Sequence, residues 1–212
     1  MDVVQRFEPK LFEFISQEMV QDPAHDLSHV KRVVKTAIEL CQQENARIEV
    51  VLPAAYLHDC FTFAKNHPER AQSSTIAADK ATQFLASIDY PREFLSDIRH
   101  AICAHSYSAN IPPTTIEAKV VQDADRLDAL GAVGIARCLQ VSASFGASLY
   151  QVDDPFCANR ELDDRNYTID HFYNKLFKLE AMMNTASAKL EARKRTQYME
   201  GFLNQLKDEI ER

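Results

Sequence analysis

Apolar positions recur at helical spacing along almost the whole chain. Val30, Val33, Val34, Ala37, Ile38 and Cys41 fall at i, i+3, i+4, i+7, i+8 and i+11, which puts them on one stripe of an amphipathic helix. That stripe predicts a helix starting near Asp26, whose carboxylate can accept from the open amides of the first turn. Pro23 closes a preceding helix over about residues 9–20. The same spacing predicts helices over about 52–65, 69–86, 91–104 and 116–140, with Pro68 and Pro91 preset for a first turn. Pro112-Pro113 forces a loop ahead of the last of these. Phe172, Leu176, Leu179 and Met183 make one further stripe, and Met199, Phe202, Leu203, Leu206 and Ile210 another. The chain therefore closes with a helix pair. Between about Gln151 and Thr168 the periodicity lapses; this stretch reads as a surface connection, with a lid as the alternative. No segment requires a strand, so the expected class is all-α.

Composition narrows the function. A chain of 212 residues buries roughly 70% of its unfolded surface, enough for a sizeable core. The 24 Lys and Arg against 31 Asp and Glu give a net charge of −7, a field that repels polyanions and argues against general nucleic-acid binding. A small phosphate substrate is compatible with that charge, because a bound divalent cation dominates its own surroundings. Cys41, Cys60, Cys103, Cys138 and Cys157 are scattered and odd in number, with no C-x-x-C. This pattern argues against a disulfide framework or a cysteine zinc site and fits a reducing compartment. The start, Met1 to Arg6, lacks the features of a signal peptide, and no apolar run approaches the ~20 residues of a membrane helix. A cytoplasmic protein is expected.

The candidate chemistry begins where polar residues interrupt apolar runs. His58-Asp59 follows Ala54-Ala55-Tyr56-Leu57, near the middle of the helix expected over 52–65. A carboxylate buried there requires a partner or a cation. By itself such a dyad is usually a hydrogen-bonded polar pair, and His25-Asp26 is a second example in the same chain. His29 precedes Val33 by four residues, so it lies along the buried stripe and can meet His58 across a helix interface. Alone, it would read equally well as a satisfied core histidine. Asp123, Asp125 and Asp128 form an acidic cluster ahead of Gly131-Ala132-Val133-Gly134. On a continuous helix Asp125 and Asp128 share a side and Asp123 turns away, so at most two can face one site.

The order His29, then His58-Asp59, then the Asp of Ala124-Asp125-Arg126-Leu127 resembles the H…HD…D signature of HD-domain metal-dependent phosphohydrolases. The segments His25 to Val33, Ala64 to Arg70, Ala104-His105-Ser106, Val121 to Gly134 and Asp170 to Leu176 are similar to the small prokaryotic branch containing YedJ and YpgQ proteins. The resemblance covers nearly the whole chain. It implies a single HD-type domain over residues 1–212, with the metal motifs in about 22–140 and the helix pair in about 169–212 packed on the bundle. It further implies one divalent ion held by His29, His58, Asp59 and Asp125, with Asp128 one shell further out, His105 in a substrate or supporting role, and activity toward nucleotides.

Two imidazoles and two carboxylates suit Mn, Fe, Co, Ni, Zn or Mg, with Mn the first choice. The two aspartates cancel the ion's charge without repelling an anionic substrate. Asp59 is then placed to orient a water, while His25 and Asp128 are candidates for moving protons. Arg32 borders the His29 face and can contact phosphate, and Lys65, His67 and Arg70 follow the dyad as further polyphosphate contacts. For these last three an ordinary solvated basic cluster is the competing reading. His100 and His105 are five residues apart and splay around their helix, which argues for one metal rather than two. The expected reaction is pyrophosphate release from a nucleoside triphosphate; the alternatives are a nucleoside monophosphate phosphatase, a phosphodiesterase, or a catalytically silent nucleotide-binding module. No Glu-x-x-His pair and no P-loop are present, which removes di-iron bundles and P-loop enzymes.

Overall fold

A computed structural model describes residues 3–19, 26–63 and 67–211. Helices are their regular structure, with irregular chain over 106–115 and 145–167, and their only β feature is an isolated bridge between Ser148 and Tyr167. The all-α expectation holds. Two compact units divide the chain, Met1–Asp125 and Arg126–Arg212.

In the first unit α1 (Val3–Glu18), α2 (Leu27–Gln43) and α5 (Leu95–His105) pack around α3 (Ile48–Leu57), and α4 (Ser73–Ser87) packs on α5. Every residue of α3 from Val50 to Leu57 is buried, as a helix apolar on all sides must be. The helix expected over 9–20 instead starts at Val3 and carries Pro9 inside it. Phe7, Leu11 and Ile15 are fully buried along its inner face; at about 1.5–3 kcal/mol each, their burial outweighs the roughly 3 kcal/mol of an interior proline. Asp26 caps α2 as expected, accepting from the His29 amide at 2.7 Å. In the α2 stripe Leu40 is buried where Ile38 is only half-buried. The helices expected to begin near 69 and 91 each open with a short 3-10 turn, Arg70–Gln72 and Arg92–Phe94.

Arg47, just ahead of α3, ties this unit together. Its Nε donates to Glu117 at 2.7 Å and its Nη2 to Asp97 at 2.6 Å. Burial works against the charged form of Glu117, yet the Arg47 guanidinium outweighs it and lowers the carboxyl below its ordinary value of 4.5. A depressed folded-state pKa contributes stability above pH 4.5 that is lost as pH falls through the lower folded value. Because Arg47 is half exposed, Glu117→Gln is expected to cost only about 1 kcal/mol at pH 7. Urea unfolding should show the difference between variant and parent shrinking as pH is lowered from 4.5 through the depressed folded-state value.

The helix expected over 116–140 is two helices, α6 (Ile116–Leu127) and α7 (Gly131–Ser144). Leu130 is extended and Gly131 has φ +71, a left-handed conformation that glycine adopts without penalty. At Gly134 a Cβ would sit 2.3 Å from the Ala129 carbonyl oxygen, so the turn closes only over a glycine. In the second unit α9 (Ala186–Ile210) packs on α7 and on the 3-10 segment Leu176–Met182, which follows α8 (Thr168–Asn174). The first member of the expected helix pair is thus a short helix continued as a 3-10 turn, with Phe172, Leu176, Leu179 and Met183 all buried. The 151–168 stretch is pinned by its own bonds: Asp154 accepts from the amides of Ala158 and Asn159, and Arg160 reaches Asp170 with both terminal nitrogens. These bonds favour the connection over the lid. Among the described residues no helix is long and apolar enough to cross a membrane, and all five cysteines are unpaired thiols.

Candidate metal centre

α3 and α5 each end beside the site with a histidine at the helix end, His58 just past the last residue of one and His105 the last residue of the other. The dyad is not in mid-helix: α3 ends at Leu57, His58 is its cap, and Asp59 lies in the turn that Cys60 closes by donating to the Leu57 carbonyl. The His58 Nδ1 sits 2.8 Å from the Ala55 carbonyl, which in a continuing helix would accept from the Asp59 amide. A carbonyl only accepts, so Nδ1–H donates and Nε2 is left facing the interior. His105, the last residue of α5, repeats this arrangement with Nδ1 donating to the Ile102 carbonyl at 2.6 Å. Gln122 on α6 donates to the neighbouring Ala104 carbonyl at 2.6 Å. That bond seats α6 against the end of α5, with Asp125 one turn further along.

These supports bring together side chains from α2, the α3 cap, α5 and α6. His29 Nε2 lies 3.4 Å from His58 Nε2, 3.5 Å from Asp125 Oδ1 and 3.8 Å from Asp59 Oδ2. His58 Nε2 is 3.4 Å from Asp59 Oδ2 and 3.9 Å from Asp125 Oδ1. The other oxygen, Asp59 Oδ1, faces His105 Nε2 at 3.5 Å. Most of these separations exceed a good hydrogen bond. Four of the six, at 3.4–3.5 Å, match the roughly 3.0–3.5 Å edges of a coordination shell with bonds near 2.1 Å, and His29–Asp59 and His58–Asp125 are slightly longer at 3.8 and 3.9 Å. Two groups could hold a metal among the described residues, His29–His58–Asp125 and His58–Asp59–His105, with His58 common to both. The donor set, nitrogen and oxygen with no thiolate, suits a divalent ion.

The electrostatics point the same way. Burial opposes a proton on His58, but the Asp59 and Asp125 carboxylates outweigh it and push its pKa up to about 9. Burial likewise opposes charge on Asp59, yet His58 and His105 hold its carboxyl well below the usual carboxylate range. Positive charge is thus favoured between the carboxylates; the imidazoles of His29 and His58 are 1% and 0% exposed, while Asp59 and Asp125 open to solvent at 13% and 28%.

His105, expected in a supporting or substrate role, stands against Asp59 itself. The signal was present in Ala104-His105-Ser106, but its partner was not legible. Asp128 lies beyond the end of α6, so the i, i+3 relation to Asp125 does not apply; its carboxylate accepts from Arg137 Nη1 at 2.7 Å. Asp123 is fully buried, and Arg126 donates to the Met182 carbonyl. Arg32 is half-buried on α2, one turn after His29. Arg70 donates to the Phe63 carbonyl, a structural use of one nitrogen. His100 Nε2 bonds the hydroxyl of Thr114 at 2.9 Å, away from the centre. His25 and Lys65 lie outside the described residues.

A family model described as the HD domain matches residues 26–130. The chain is 32% identical over 194 residues to the uncharacterized protein YpgQ of Bacillus subtilis, covering 90% of this chain and 86% of that one. The chain belongs to the HD-domain family of metal-dependent phosphohydrolases. The family likeness extends to solved structures. YpgQ in complex with ADP superposes with a TM-score of 0.74 at 30% identity, over 97% of this chain and 95% of that one. A Bacillus thuringiensis protein described as an HD-superfamily hydrolase does so with a TM-score of 0.74 at 34% identity, over 97% of each. In this HD-domain chain the signature positions are the ones whose side chains converge.

Proposed function

We propose that the chain hydrolyses nucleoside triphosphates to the monophosphate and pyrophosphate, using one divalent ion, Mn by preference, held by His29, His58, Asp59 and Asp125. The observation that carries this reading is the convergence of two tautomer-fixed or buried imidazoles and two carboxylates at 3.4–3.9 Å. The ADP complex of YpgQ supports a nucleotide as the ligand. The ion, when bound, supplies a Lewis acid and an activated water. Asp59 orients that water while His105 holds its second oxygen, and Arg32 takes a phosphate oxygen. Water oxygen attacks the α-phosphorus in line, the bond to the α–β bridging oxygen breaks, and pyrophosphate leaves. His25 and Asp128 are the proposed proton-moving groups; Lys65 and Arg70 are proposed contacts to the outer phosphates. All 212 residues act as one HD-type unit in the cytoplasm.

The test is product identification with purified protein, several metals and each nucleotide class. Pyrophosphate with a nucleoside monophosphate supports the proposal. Orthophosphate from a monophosphate, or cleavage of a cyclic or dinucleotide diester, would replace it with a phosphatase or phosphodiesterase. Metal-dependent binding with no product after prolonged incubation would mean a silent module. Arg32→Ala is expected to retain the ion but raise KM for the triphosphate about tenfold, the effect of losing one charged contact of roughly 1.4 kcal/mol. Unchanged KM and kcat would remove Arg32 from the site.

A further inference from the structure

The segment after the His58-Asp59 dyad carries more aromatic surface than a link between two helices needs. Phe61, Phe63 and His67 are each half-buried. The Phe63 and His67 rings are parallel, with centroids 4.1 Å apart and 2° between planes. Phe61 meets Phe63 edge-on at 4.9 Å and 86°. Three backbone bonds hold the stack in place. The Phe63 amide donates to Ser73 Oγ at 3.0 Å, Arg70 donates to the Phe63 carbonyl at 2.5 Å, and the Glu69 amide donates to His67 Nδ1 at 3.1 Å. With Nδ1 an acceptor, the His67 proton is on Nε2, and the ring is a stacking partner for Phe63 rather than a bare phosphate contact.

Position decides what such a stack can serve. Phe61 is two residues from Asp59, so their α-carbons are at most about 7 Å apart. Phe63 and His67 cover one face of each other, so a base would stack on an outer face of the platform, which begins two residues past Asp59 and is thus in reach of the group a bound phosphate carries. We propose that Phe61, Phe63 and His67 form the nucleobase subsite, which takes the base by stacking rather than by edge hydrogen bonds. The inference rests on the nucleotide reading given above. Two consequences follow from its chemistry. Every base presents a π-face, so discrimination among bases is weak. A base seated this close to the centre brings the phosphorus nearest the sugar into reach, in keeping with pyrophosphate as the leaving group.

The Mn-loaded full-length protein tests this through Phe61→Leu and Phe63→Leu, which keep apolar bulk and remove the π-face, with Phe63→Trp as the conservative control. KM for a nucleoside triphosphate is expected to rise about tenfold in each Leu variant, the loss of a single stacking contact. It should stay near the parent value in the Trp variant. Inorganic tripolyphosphate, used as substrate or competitive inhibitor, has no base and should be unaffected in all three. A triphosphate with a fluorescent base should be quenched on binding to the parent and less so to the Leu variants. Unchanged KM for the triphosphate in both Leu variants, or equal losses for triphosphate and tripolyphosphate, would overturn the subsite while leaving nucleotide hydrolysis standing. Parent protein that processes tripolyphosphate but no nucleotide would instead overturn the nucleotide reading, and the subsite with it.

Discussion

His58→Ala is expected to abolish divalent-metal binding and, with it, metal-dependent turnover. His58 is common to both candidate metal-holding groups, and its Nε2 lies within 3.9 Å of donors on His29, Asp59 and Asp125. The remaining donors come from α2, from the turn after α3 and from α6, and none of them occupies the position between the two groups that His58 holds. Loss of outer-shell support alone weakens metal sites by about 10–100-fold, so loss of a central donor should exceed about 100-fold in affinity. The side chain is fully buried, and truncation leaves a cavity worth roughly 2–3 kcal/mol. Activity must therefore be read beside two other measurements. Titration calorimetry with Mn should show no binding, and far-UV circular dichroism should show a protein still largely helical. A folded variant that binds one equivalent of metal and turns over at the parent rate would dismantle the proposed centre.

The largest stability effect is expected at Asp170. Its carboxylate is completely buried and accepts from Arg160 Nη1 and Nη2 at 2.5 and 2.7 Å and from the Asp163 amide at 2.7 Å. Asp170→Ala leaves a guanidinium that is only 20% exposed with the carbonyls of Asp154 and Glu161 but no counter-charge from this pair, and leaves the Asp163 N–H without its acceptor. Breaking such a pair from one side costs about 3–5 kcal/mol, which for a chain of this length lowers Tm by roughly 10 °C. Asp170→Asn keeps one acceptor and should lose less. Thermal unfolding followed by circular dichroism checks both; an alanine variant melting within about 1 °C of the parent would show that the 151–168 stretch is held by something else. Metal affinity at the His29–His58–Asp125 centre provides a separate readout, and retention of it would confine the damage to stability.

Sequence spacing disclosed the buried faces because burial is a property of side-chain type and helical period. The Asp26 cap was legible for the same reason: it is a local bond between a carboxylate and an amide three residues away. The ligand types were legible as polar interruptions of apolar runs, though choosing Asp125 over Asp128 needed the family resemblance. Helix ends were read less well. Periodicity continues through Leu57 into His58-Asp59 and through Leu127 into Ala129-Leu130, yet both helices stop. At the first, an imidazole takes the carbonyl that would have continued the ladder; at the second, Gly131 turns the chain with positive φ. Pro9 shows the reverse case, a local breaker overruled by Phe7, Leu11 and Ile15 buried on one face.

By itself, the sequence determined that the chain is helical, which faces are buried, and which nitrogen and oxygen donors interrupt them. Those are short-range properties, decided within a few turns by side-chain chemistry. Only the tertiary structure decided that His105 stands against Asp59, that the Asp128 carboxylate is taken by Arg137, and that Phe61, Phe63 and His67 stack. Each of these depends on where a helix ends and how the next one returns. Small changes in a turn swing a distant side chain by several ångströms, far more than the few tenths that separate a hydrogen bond from a coordination edge.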